Sequence, residues 1–224
     1  MLEKNTVVLQ SAPASDPETS FMMRAALALL SIFLAAGSVL ADPADCARAS
    51  KAPVKFICED PTLAALDKEV ARLADLAATG SHVTSAQKRM LALSQASFRK
   101  TIAACRDAKL CLQRTLVERV FHLRQGYADV RTKDSEGISL GPFAAACAGF
   151  DGPLAVTFIK SDPALGFLAW RDKAAVLTQA VAASGARYAG TFGTGELQFW
   201  NKGKEATLDM PGKPTLTCEM QGDG

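Results

Sequence analysis

Histidine is scarce in this chain: only His82 and His122 occur among 224 residues. No Cys-x2-Cys pair exists, and neither histidine stands at metal-ligand spacing from a cysteine, so a structural zinc site has nothing to build on. Aromatic residues make up only 7%, and no basic stripe with interleaved aromatics appears, which argues against nucleic acid as a partner. Charge of one sign is also missing. The whole chain carries 25 basic and 23 acidic residues, a formal net charge of +2. Long hydrophobic runs are limited to Ala25–Val39, shorter than the roughly 20 residues a membrane-spanning helix needs. No cofactor-binding pattern and no paired-carboxylate pattern stands out, and the chain reads as a non-enzyme.

What is present begins with an export signal. Met22-Met23-Arg24 precedes the Ala25–Val39 apolar run, and Val39 and Ala41 supply small residues at −3 and −1 of a cleavage site before Asp42. Residues 22–41 are therefore expected to be a signal peptide. Residues 1–21 are expected to be a mis-called start or a disordered leader. The first cysteine, Cys46, is too far past the cut for a lipid anchor, so a periplasmic protein free of the membrane is expected. Cleavage would remove two of the 25 basic and three of the 23 acidic residues, leaving a net of +3. All six cysteines (Cys46, Cys58, Cys105, Cys111, Cys147, Cys218) lie beyond the cut. An even count in an exported chain reads as a disulfide set.

Two periodicities divide the mature chain. From Asp60 to Val130 apolar residues recur at three and four: Leu63, Leu66, Val70, Leu73 and Leu76 follow an Asp60-Pro61 start signal. A second helix is expected from Thr84-Ser85 to Cys105, and a third from about Cys111 to Tyr127. Three helices with short connections make a small bundle over 42–130. Cys46-x11-Cys58, Leu63-x2-Leu66-Asp67, Gln95-x2-Phe98 with Cys105, and Cys111-Leu112 with Glu118-Arg119 and Leu123 together resemble the LprI N-terminal module of exported bacterial proteins. The first four cysteines belong to that module, with their pairing open. Its basic residues, Lys88, Arg89, Arg99, Lys100, Arg106 and Lys109, read as a solvated face.

Residues 131–142 are polar and end in Gly141-Pro142, as a linker would. Over 143–224 short apolar runs alternate with turn dipeptides such as Thr194-Gly195 and Lys202-Gly203, the pattern of a small antiparallel barrel. The fold class is thus α + β, a disulfide-linked helical bundle followed by a β-barrel. A Cys147–Cys218 bridge would join its first strand to its last.

Inside this region stand Ser184-Gly-Ala-Arg-Tyr188 and Phe199-Trp-Asn-Lys-Gly-Lys-Glu-Ala206. Over roughly Ala145–Met220 these resemble the two motifs of the MliC/PliC family, envelope inhibitors of c-type lysozyme. The resemblance implies that Ser184 and Lys202 are the inhibitory residues, with Gly185, Tyr188 and Gly203 supporting their loops, and c-type lysozyme as the partner. Protection of the cell wall against host defence would follow. An Arg187–Glu205 pair is expected to hold the two loops together.

The chemistry is coherent. Lysozyme works with two carboxylates, one protonated and one ionised. A lysine ammonium on a flexible stem can reach both, and a serine hydroxyl can replace a sugar hydroxyl. Lysozymes are cationic, so bulk charge cannot drive the complex and local contacts must. The competing reading is an envelope interaction protein that binds another partner through the helical module. Ser184 lacks a Gly-x-Ser-x-Gly setting and no histidine occurs in the β region, which leaves a serine nucleophile without a base.

Overall fold

The computed structural model describes residues 44–131 and 136–222; the leader and the signal segment lie outside the described residues. The helices are α1 (Val54–Glu59), α2 (Pro61–Thr79), α3 (Ser85–Cys105), α4 (Lys109–Gly126) and the short α5 (Ala128–Arg131). The strands are β1 (Ser139–Cys147), β2 (Leu154–Ile159), β3 (Leu165–Trp170), β4 (Lys173–Ala180), β5 (Ala186–Phe192), β6 (Gly195–Lys202), β7 (Glu205–Asp209) and β8 (Leu216–Gln221). The architecture is α + β in two parts, as the two periodicities implied.

The longer helices begin where their caps dictate. The Asp60 carboxylate accepts the Leu63 N–H at 3.0 Å, ahead of Pro61 in the first turn of α2. At α3 the Thr84 hydroxyl accepts the Gln87 N–H at 3.2 Å, and the Gln87 side chain accepts the Thr84 N–H at 2.9 Å, a reciprocal capping box. Disulfide Cys46–Cys58 ties the start of the helical part to α1, and Cys105–Cys111 joins the end of α3 to the start of α4.

Each strand pairs antiparallel with the next, and β8 returns to β1, so the sheet closes into an eight-stranded barrel without edges. Cys147 and Cys218 face each other across that last seam and are bonded. Alternate residues point inward: Val156, Leu168, Leu177, Leu197, Phe199 and Leu208 fill the lumen.

Helices and barrel form one compact unit. The outward residues Ile159, Leu165 and Phe167 belong to the helical core, where the Phe121 and Phe167 rings lie 5.0 Å apart. This explains the run Leu165-Gly-Phe-Leu-Ala-Trp170. β3 is covered by the lumen on one face and by helices on the other, so it has no polar alternation.

The chain enters the barrel through a buried polar cluster. Arg124, 1% exposed, donates its Nε–H to the Gly141 carbonyl at 2.6 Å. Ser139 donates its N–H to Glu69 at 3.3 Å and its hydroxyl to the same carboxylate, which also pairs with Arg72 at 2.9 Å. Buried charges persist only when satisfied in this way. Strand β1 consequently starts at Ser139, inside the stretch read as a linker. Gly141-Pro142 sits at a bulge between Leu140 and Phe143. Gly141 has φ +104, and a Cβ there would lie 2.6 Å from the Val156 carbonyl oxygen.

Candidate functional site

The two motif segments meet at one corner of the barrel. The β4–β5 loop spans 181–185 and carries Ser184 and Gly185; the β6–β7 turn carries Lys202 and Gly203. These loops become neighbours because β5 and β6 pair along their whole length, ending at Ala186 opposite Asn201. Gly185 and Lys202 follow directly on that pair.

The turn is tight. Lys202 pairs with Glu205, leaving Gly203 and Lys204 as the two central residues. Gly203 has φ +66, the conformation a two-residue hairpin requires at its first central position. The Asn201 side chain donates to the Gly203 carbonyl at 3.0 Å and braces the turn from inside. Lys202 and Ser184 are both exposed, and Lys202 makes no ion pair among the described residues. Its ammonium is therefore uncommitted.

Gly185 is required by contact and by conformation. It has φ +68, and a Cβ would stand 2.4 Å from the Asn201 carbonyl oxygen and 3.2 Å from the Trp200 indole nitrogen. Trp200 closes the corner by donating its indole N–H to the Ser184 carbonyl at 2.8 Å. Trp200 and Asn201, both in β6, brace the corner.

Tyr188 stands elsewhere. It lies within β5, 7% exposed, with its ring 5.4 Å from Phe158 in the barrel interior. Burial pushes its hydroxyl pKa up. The residue fills the lumen beneath the corner, where a Cβ on Gly166 would touch its ring at 3.0 Å. The expected Arg187–Glu205 pair is absent among the described residues. The register sets Arg187 opposite Trp200 and Glu205 opposite Lys202, and the Arg187 Nε is buried without a partner. A cleft of ≈ 680 Å³ opens beside the turn, lined by Asn201, Gly203, Lys204, Leu140, Phe143 and Met220 among others.

A Gly-x-Ser-x-Gly string does occur at 137–141, outside the motif region. A nucleophile elbow needs a strand-to-helix turn that exposes its serine. Here Ser139 is 2% exposed, within β1, and its hydroxyl is given to Glu69.

Residues 146–217 match the MliC family, described as membrane-bound lysozyme-inhibitor of c-type lysozyme. The MliC match runs from the end of β1 into β8 and includes Ser184, Lys202 and Cys147; Cys218 follows it directly. It supports a lysozyme-inhibitor role for the barrel and c-type lysozyme as the kind of partner. The helices lie outside the matched segment. No curated protein and no solved structure matches the chain. Among the described residues, no helix is long and apolar enough to cross a membrane.

Proposed function

We propose that the barrel inhibits c-type lysozyme by inserting Lys202 and Ser184 between the two catalytic carboxylates. The observation that carries this reading is the shared corner: an exposed, uncommitted lysine and an exposed serine on adjoining loops, tied to each other through β6. A desolvated ammonium paired with carboxylates in a cleft is worth far more than the same pair on open surface. Lys202 ends β6 beside the Gly203 turn with its side chain exposed. Ser184 offers a donor and an acceptor to the groups that otherwise hold a sugar.

Export to the periplasm through residues 22–41 belongs to the same proposal, since that is where an enzyme attacking the wall is met. For the helical part, the LprI-like module of the sequence reading, we propose a supporting role. It covers the outer wall of β2 and β3 on the side where Ile159, Leu165 and Phe167 would otherwise meet water.

The test uses the mature protein from Asp42 in a cell-wall lysis assay with c-type lysozyme. Inhibition is expected at micromolar concentration or below. Lys202→Ala should weaken it by roughly thirtyfold or more, the scale of losing one partner of a desolvated charge pair. Ser184→Ala should cost roughly tenfold, about one hydrogen bond. No inhibition by the parent protein sinks the function. Inhibition that survives the double substitution sinks the site while leaving the function standing.

A further inference from the structure

Phe199 and Trp200 are adjacent in β6, and strand alternation can turn only one of them into the lumen. Phe199 is that one, at 1% exposure, and Trp200 lies on the outer wall at 40%. A large apolar ring left that exposed calls for a reason beyond filling space. The indole nitrogen is a donor only, and it is spent on a loop rather than on water: N–H to the Ser184 carbonyl, 2.8 Å.

The loop it reaches has little else to hold it. The β4–β5 ladder ends at Ala180 opposite Arg187, and Val181 is 91% exposed. Among the described residues, the indole bond is the one hydrogen bond that ties 181–185 to β6 beyond the strand ladder. Gly185 completes the grip from the other side, pressed so closely on Asn201 and Trp200 that no Cβ fits. Two residues further along β6, on the same face as Trp200, is Lys202.

We infer that Trp200 is a positioning residue for inhibition: its indole N–H fixes the Ser184 backbone and so sets the distance between the Ser184 hydroxyl and the Lys202 ammonium. This rests on the reading of Ser184 and Lys202 as the inhibitory pair. Tryptophan combines a broad apolar body with an N–H that donates and does not accept. Phenylalanine would cover the wall equally well and hold nothing.

Trp200→Phe keeps the ring and removes the donor. A wall residue tolerates that change, and a positioning residue does not. In the lysis assay Trp200→Phe should weaken inhibition roughly fivefold to tenfold, the worth of one hydrogen bond, with the melting temperature little changed. The loss should be absent, within about twofold, when Ser184→Ala is already present, and retained in full when Lys202→Ala is present instead. Parent-like inhibition by Trp200→Phe overturns the inference. So does an equal loss in both backgrounds, which would make the indole a direct contact.

A measurement on the free protein separates this from the lysozyme reading. In a ¹⁵N-labelled sample, Trp200→Phe should shift or broaden the amide signals of Ala183, Ser184 and Gly185 while leaving those of the β7–β8 ladder in place. If those loop signals do not move, the indole does not position the loop, whatever the assay gives. If they move and the parent protein fails to inhibit lysozyme, the functional reading falls, and with it the role in inhibition.

Discussion

From Phe199 to Gly203, across the end of β6 and into its turn, each of five residues has a separate task. Phe199 anchors the strand in the lumen, Trp200 holds the serine loop, Asn201 braces the turn, Lys202 is presented, and Gly203 makes the turn possible. The lysine and the glycine were legible because a Lys-Gly pair between two apolar runs marks a hairpin tip. The roles of Trp200 and Asn201 were not. Two adjacent apolar residues leave the facing of a strand undetermined, and a side chain's bond to a loop sixteen positions away leaves no periodic trace. Gly185 tests the tightness of the corner. Gly185→Ala places a Cβ against the Asn201 carbonyl at a φ of +68. It should lower stability by about 1–3 kcal/mol, measured by urea unfolding, and weaken lysozyme inhibition beyond what the stability loss explains.

Helix starts were the most readable feature at the scale of elements. Asp60-Pro61 and Thr84 with Gln87 spend their side chains on backbone N–H groups within three residues, so their meaning is local. Strand β1 was the least readable. Its first four residues include Gly141 and Pro142, which read as a loop. They are strand because Glu69 and Arg124, far away in sequence, satisfy the entering backbone. β3 is the element on which both parts of the molecule depend. Phe167 points out of the barrel into the helices and meets Phe121 at 5.0 Å. Phe167→Ala should cost about 3–5 kcal/mol, seen as a lowered urea midpoint. The inhibition constant should be nearly unchanged at temperatures where the protein stays folded, since the contact lies away from the lysine turn. A large loss of inhibition without loss of stability would show that the helices influence the corner.

For the whole molecule, the helices and the barrel share a core, and this changes what the barrel is on its own. A fragment starting at Ser139 would expose Ile159, Leu165 and Phe167 and leave Ser139 without Glu69 and Gly141 without Arg124. It should bind a hydrophobic dye and self-associate on size exclusion, and it should melt well below the mature protein. A monomeric, dye-free fragment of equal stability would show that the helices are dispensable to the fold. Sequence alone determined the two periodicities, the helix caps, the cysteine set and the motif pair, because each is written in spacing or in side chains that act on near neighbours. Tertiary structure decided the pairing of the first four cysteines, the burial of β3 on both faces, the true start of β1 and the inward choice between Phe199 and Trp200. Those depend on which distant surfaces meet, and a contact between remote segments leaves no period in the chain. At the corner both contributions join: the residues are local, and the pairing of β5 with β6 brings Ser184 and Lys202 onto adjoining loops.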